Sequence, residues 1–165
     1  GNCFFIDPLF PNFVVYLKIN YFFISNMTLF EINKLNNHTF SIPIDSLTIN
    51  DLFLLFHIST KINNKTIEIT AESVVSLDKF LLDFPDEKIT YDYAYLFSDN
   101  LVKQLLYLEK RKQTVSAFSI SDFLVIDNSF LVFINDKKIL DIQDNFIEIL
   151  TMIVIIMVKA VRSLV

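Results

Sequence analysis

Residues 105–142, LLYLEKRKQTVSAFSISDFLVIDNSFLVFINDKKILDI, leave the chain few ways to fold. The stretch opens as the end of an amphipathic helix, passes through a short polar turn and continues as two or three strands with tight connections. Residues 123–126 and 130–135 are nearly all apolar, so they read as strands buried on both faces. Asp127-Asn128-Ser129 supplies the turn between them, and Asp136-Lys137-Lys138 a second turn into residues 139–142. The rest of the chain must enclose this hairpin.

Upstream of the stretch the spacing is helical. Leu77, Phe80, Leu81 and Phe84 share one face, and Pro85 ends that helix because its ring breaks the backbone ladder. Thr90 is an N-cap for a second helix reaching about Lys112, with Ala94, Phe97, Leu101, Leu105 and Leu108 as its buried stripe. Before about Ser73 the composition favours strands. Residues 1–12 are apolar, with Pro8 and Pro11, and read as irregular. Residues 13–23, FVVYLKINYFF, read as a strand, with 27–32 as its hairpin partner. Residues 34–45, holding Asn36-Asn37 and Pro43, read as a loop, and 46–51 as a helical turn or short helix. Residues 52–60, LFLLFHIST, read as a strand. Asn63-Asn64 turns it into residues 66–72, where Ile67, Ile69 and Ala71 alternate with polar neighbours. The expected class is α+β, a small antiparallel sheet lobe followed by helices and a β-hairpin. The divisions are 1–74 as the β-rich small lobe, 75–145 as the helical lobe with the hairpin, and 146–165 as a hydrophobic C-terminal helix.

That last segment carries an apolar run from Ile149 to Val158, broken only by Thr151. Ten helical residues span about 15 Å, half of a bilayer core of roughly 30 Å. Extending it to twenty takes in Glu148, Lys159 and Arg162, so a buried or interfacial helix and a membrane anchor both stand.

Composition narrows the function classes. The 165 residues are 53% hydrophobic, ample for a core. A net charge of −5 argues against a nucleic-acid binder, which usually carries a basic stripe. The one dense basic cluster, Lys110-Arg111-Lys112, sits where a helix C-terminus favours cations. The single cysteine, Cys3, allows no intrachain disulfide and fits a reducing, cytoplasmic setting. The chain opens on Gly1 rather than Met, as a processed piece or fragment would. Asn26, Asn37 and Asn64 match the glycosylation pattern by chance in so Asn-rich a chain. His38 and His57 lack neighbouring ligands at zinc spacing, and His57 is expected in an apolar strand. No Gly-x-Ser-x-Gly turn exists to expose a serine nucleophile. Asp83, Asp86 and Glu87 read as a solvated acidic turn.

The order strand, turn, strand, short helix, long helix, polar turn, hairpin resembles the middle of a protein kinase domain. The resemblance covers roughly residues 50–142 and implies a truncated kinase-like fold, since the later large-lobe helices have no counterpart unless the tail is one. TIEITAESVVSLDKFL is similar to the segment linking kinase lobes, with Glu72 as the hinge acid. LLYLEKRKQ stands where kinases often have Leu-x-Tyr-Leu-His. Aligning the Asn of the family's catalytic loop with Asp122 places Val115-Ser116-Ala117 at His-Arg-Asp. Ala117 then stands at the position of the catalytic Asp, and Ser119 at that of the loop's Lys. The family's Asp-Phe-Gly turn falls on Asn135-Asp136-Lys137. Degenerate kinase-like chains of this composition are similar to those encoded by large DNA viruses.

Two consequences of the resemblance stand open. In one the site is inactive: Ala117 offers no base, Lys18 is a weak phosphate-pairing candidate, and Gly1 as the only glycine rules out a glycine-rich phosphate loop in this chain. In the other, Asp122 and Asn135 have exchanged places and still offer oxygen to Mg²⁺, leaving a vestigial ATP/Mg site. The expectation is a catalytically inactive kinase-like module, without a working cofactor, that binds a protein through an exposed apolar face. The alternative is a structural protein associated with a membrane or virion through residues 146–165.

Overall fold

The computed structural model describes residues 30–142 and 146–165, with side chains in the last segment described from Val154 onward. The expected strand at 13–23, most of its partner at 27–32, and Lys18 lie outside these residues.

The described chain is α+β. It begins with an antiparallel hairpin of β1 (Asn33–Asn36) and β2 (Thr39–Pro43). Helix α1 (Leu47–Leu54) follows, then β3 (Ser59–Asn63) and β4 (Thr66–Thr70). These strands form one antiparallel sheet in the order β1-β2-β4-β3. Next come β5 (Val74–Ser76), the short helix α2 (Leu77–Leu81) and the long helix α3 (Tyr91–Lys110). Strands β6 (Gln113–Val115), β7 (Phe123–Ile126), β8 (Phe130–Phe133) and β9 (Ile139–Asp141) lead to helix α4 (Phe146–Leu164). β5, β7 and β8 make a three-stranded antiparallel sheet, and β6 pairs with β9.

Two readings of the first sheet need correction. Residues 34–45 are not a loop. Phe40, Ile42 and Ile44 are buried, and this period-two alternation makes β2 a strand, turned from β1 at Asn37-His38. Asn-rich β1 is exposed along its whole length, so composition alone reads as loop. Residues 52–60 are not one strand either. Ser46 caps a helix by accepting the Thr48 N–H at 3.1 Å, and Ile49, Leu52 and Phe53 bury one face at helical spacing. The short helix expected at 46–51 therefore runs on to Leu54. His57 lies in the following turn with φ of 57°, exposed, and not in a strand.

The hairpin of β3 and β4 turns through Asn64 at φ 55°, and β4 alternates as expected, with Ile67 and Ile69 fully buried. The link from β4 to β5 is fastened to the β7–β8 turn. The Glu72 and Ser73 N–H groups both donate to the Asp127 carboxylate, at 2.8 and 3.0 Å. That turn places Asp127 and Asn128 at positive φ, the twist a two-strand hairpin prefers. With no glycine after Gly1, every left-handed turn position among the described residues is filled by Asn, Asp, His, Lys or Glu.

Helix α3 is the backing of the second sheet. Thr90 accepts the Tyr93 N–H at 3.3 Å, and Phe97, Leu101, Leu105 and Leu108 form the buried stripe, with Ala94 half-buried beside it. Two polar residues share that face. Gln104 donates to the Leu131 carbonyl and accepts the Phe133 N–H, both at 2.8 Å, so its one amide supplies β8 with the partners a further strand would give. Asn100 donates to the Ser129 carbonyl at 3.1 Å. α3 also holds α1, because the Tyr107 hydroxyl donates to Asp51 at 2.6 Å. Burial, and then the bond to the Asp51 carboxylate, push the Tyr107 hydroxyl above the ordinary tyrosine range.

The tail is a helix, and it docks on α3 rather than standing free. Ile156, Met157 and Val161 are buried, and the Leu164 carbonyl accepts the Ile89 N–H at 2.6 Å. No helix among the described residues is long and apolar enough to cross a membrane.

Gln104→Leu keeps the volume but orphans the Phe133 N–H and the Leu131 carbonyl inside the core. It is expected to cost about 2–4 kcal/mol, from two buried groups left unpaired, measured as a loss in urea unfolding free energy. A loss near zero would show that β8 finds its partners elsewhere.

Candidate functional site

The open end of the β7–β8 hairpin is where the chain concentrates buried polarity. β6 delivers residues 116–119 as a loop, and a single turn of 3₁₀-helix at Ile120–Asp122 feeds into β7. β8 leaves through Asn135 into another such turn, Asp136–Lys138, which feeds β9. Backbone bonds fix both crossings. The Asp122 carbonyl accepts the Ile134 N–H at 2.8 Å, and the Lys138 carbonyl accepts the Ser116 N–H at 2.9 Å. Because β6 and β9 pair residue by residue, the loop and the β8 exit are held face to face.

Asp122 sits at the centre with 0% exposure. Its Oδ1 accepts a hydrogen bond from Asn135 Nδ2 at 2.8 Å. Its Oδ2 accepts from the Ser119 N–H at 2.9 Å, from the Ser119 hydroxyl at 2.8 Å, and from the Lys138 ammonium at 2.6 Å. The ammonium also donates to Ser119 Oγ at 3.1 Å and is itself buried. A carboxylate taken out of water is tolerated only when paired and hydrogen-bonded, and this one is both.

The sequence-based candidates are distributed as follows. Asp122 and Asn135 meet in direct contact. Ala117 is fully buried, a methyl group with no acceptor to offer. Glu72 is at the other end of the hairpin, beside the Asp127 turn, with its carboxylate exposed and 3.4 Å from His38 Nδ1. The four residues of β7 separate the two ends by about 13 Å, so Glu72 is no part of the Asp122 cluster. Lys138 was not among the candidates, although it is the strongest partner Asp122 has. Its position in a Lys-Lys turn reads as solvent-exposed, and only the tertiary fold turns it inward.

A divalent ion does not fit the pair Asp122 and Asn135 as they stand. A hard cation needs several free oxygen ligands. Here one carboxylate oxygen is capped by the Asn135 amide N–H₂, which is a donor, and the other already carries an ammonium. Among the described residues no group of three or more His, Cys, Asp or Glu side chains converges on a metal-sized point.

Beside the cluster is a cavity of about 180 Å³, lined by Phe30, Pro43 to Asp45, Ser121 and Ile134 to Lys137. It joins the end of β2 to the β8 exit, and the Asp136 carboxylate closes part of it by accepting the Asp45 N–H at 2.9 Å. Ligand pockets for molecules of nucleotide size run from about 300 Å³ upward, so the cavity as it stands is small for one. No protein-family model matches the chain, and no curated protein matches it.

Asp122→Asn removes the negative charge and leaves the Lys138 ammonium buried without its counter-ion. It is expected to destabilise the fold by about 3–5 kcal/mol, read from urea unfolding monitored by tyrosine fluorescence. A change within about 0.5 kcal/mol, as at an ordinary surface position, would mean that the pair is not buried in solution.

Proposed function

We propose that this protein is a kinase-like module without phosphotransfer chemistry, and that it acts by binding another protein. The observation that carries the proposal is the contact between Asp122 and Asn135. Spaced thirteen residues apart, they meet at the open end of a buried hairpin behind a long helix, in the arrangement that the resemblance to kinases implies. The order of elements supports the same reading. An antiparallel sheet carrying one helix leads through a short link into the helix, loop and hairpin.

The chemistry supports inactivity. Phosphoryl transfer is positioning and electrostatics: metal ions on the phosphates, a clamp over them, and a residue that orients the nucleophile. Ala117 offers no acceptor, the Asp122 carboxylate is paired with Lys138, and Gly1, the one glycine of this sequence, cannot by itself build a glycine-rich phosphate loop. Burial, not catalysis, accounts for keeping the cluster.

Protein binding draws support from one face. On α3, Tyr91 and Tyr95 are 74% and 79% exposed, and two turns further on Val102 and Leu106 lie on the same face. Val158 of α4 lies alongside, 44% exposed, across a groove of about 370 Å³ floored by Ala94, Ser98 and Val161. Exposed aromatic and aliphatic side chains along one helix face, interrupted here by Ser98 and the exposed Asp99–Lys103 pair and rimmed by Arg162, are what a helix or sheet of a partner covers, and tyrosines are frequent anchors there. The same face would also serve a membrane surface, so flotation is the control that tells the two apart.

Two measurements test the proposal. Incubation with ATP and Mg²⁺ is expected to give no phosphate transfer to added protein or to the chain itself. Turnover that Asp122→Asn abolishes would refute inactivity. A photo-crosslinking residue at Tyr95 is expected to capture one discrete protein in cells, where the same residue at exposed Asp83 does not. Recovery with floating vesicles, and no protein adduct, would contradict protein binding and favour membrane association.

A further inference from the structure

We propose that the partner of this face is a second copy of the chain, docked across a twofold axis with the two α3 helices antiparallel. The proposal deepens the protein-binding reading by naming the protein. It rests on that reading for the premise that this face docks a protein at all.

The outward side of α3 is patterned in halves. The first half exposes two tyrosines, Tyr91 and Tyr95, and two acids, Asp92 and Asp99. The second half exposes two aliphatic residues, Val102 and Leu106, and two lysines, Lys103 and Lys110. At about 100° per residue, these positions fall within about a third of the helix circumference. The charges are also placed symmetrically along the axis. Asp99 and Lys103 each lie two positions from Leu101, and Asp92 and Lys110 each lie nine positions from it. A copy reversed about the level of Leu101 therefore sets Asp99 opposite Lys103 at about 3 Å along the helix from the twofold, and Asp92 opposite Lys110 at about 14 Å, each pair occurring twice. The same reversal brings Tyr95 opposite Leu106 and puts Val102 of both copies beside the twofold. A parallel copy would set acid on acid and lysine on lysine, so the pattern selects the antiparallel one.

Asp99 and Lys103 already pair within the chain at 2.8 Å, and in the dimer two such pairs meet as a ring of four charges with alternating sign. Asp92 and Lys110 have no ion-pair partner among the described residues. The charges that interrupt the apolar face are thus matched by a copy of themselves. Helix α4 fits the same axis. It runs opposite to α3, because its Leu164 is bonded at Ile89, just before α3, and its contacts extend to β6, just after α3. Ten residues back from Leu164, about 15 Å along α4, Val154 comes level with the middle of α3. Val154 lies one turn before Val158, which lines the groove with Tyr95, and both are more than a third exposed. Face-to-face docking brings these two residues against their counterparts, and Leu106 of the second copy to the mouth of the groove. Two helices side by side, each about 30 Å long and about 10 Å wide, offer about 600 Å² per copy, or about 1,200 Å² in total. That is the low end of specific interfaces, so the dimer is expected to be reversible at micromolar concentration.

The test is sedimentation equilibrium of the full chain from micromolar to submillimolar concentration. Wild type is expected to pass from 19.3 kDa to twice that mass. Asp99→Lys and Lys103→Asp each put like charges face to face, and each is expected to raise the midpoint concentration by about tenfold or more. Both side chains are more than half exposed, so neither change is expected to disturb the fold. An equimolar mixture of the two variants is expected to recover the wild-type midpoint to within about threefold, because the altered positions then carry opposite charges across the axis. A wild type that stays monomeric overturns the proposal. So does a dimer indifferent to both substitutions, or one that both weaken and mixing does not restore. The crosslinker at Tyr95 separates the proposal from the reading beneath it. An adduct of two copies supports both. An adduct with a different protein overturns the dimer and leaves protein binding standing. Recovery with vesicles, and no protein adduct, overturns both.

Discussion

A carboxylate withdrawn completely from water must find donors inside the protein, and Asp122 finds four. They come from three points of the chain: Ser119 just before it, Asn135 at the exit of β8, and Lys138 at the entry to β9. The arrangement is therefore a constraint on topology. If the loop before β7 moved away from the turn after β8, a buried charge would lose its partners at a cost comparable to much of a small domain's stability. The pair of short strands β6 and β9, only three residues each, is held in register by the same crossing.

Helix α3 performs the complementary task on the apolar side. Its stripe seals one face of the β7–β8 hairpin, while Gln104 and Asn100 reach through that stripe to carbonyls and an N–H of the hairpin itself. The hairpin is thereby enclosed by β5 on one edge, by a side-chain amide on the other, and by aromatic packing. Phe118, Phe123 and Phe133 contact one another with ring centroids 5.6 to 6.0 Å apart. Eighteen phenylalanines and no tryptophan make this possible, because Phe brings large apolar area without a polar atom that needs a partner.

The parts legible in the sequence were those where one local rule acts alone. Thr90 as cap, the stripe on α3, the Asp127-Asn128 turn and the buried hairpin all follow from spacing and turn chemistry. The pairing of Asp122 with Asn135 is of another kind: the spacing implied by the kinase resemblance singled the two out, and the structure has them in contact. Rules in competition were misread. In LFLLFHIST the apolar run suits strand or helix, and the cap at Ser46 with burial of Ile49 and Phe53 decides for helix. In β1 and β2 the asparagines mask an alternation that only the sheet reveals. Lys138 was illegible for another reason. Burial of a lysine follows from having an anion in reach across sixteen residues of chain, which no local pattern encodes.

The functional account follows from how these groups are occupied. In the proposed reading, a site whose acid is neutralised by its own lysine, and whose loop presents Ala117 in the core, serves stability and not turnover. The same reading assigns the exposed apolar side chains of α3 and α4 to a partner. The most direct measurement is of the ammonium itself, by nitrogen-edited NMR of the lysine side chains in the full chain near neutral pH. The account predicts that the Lys138 Nζ protons exchange slowly with water and that the resonance disappears in Asp122→Asn. A Lys138 ammonium exchanging as fast as those of exposed lysines, and indifferent to Asp122, would contradict it.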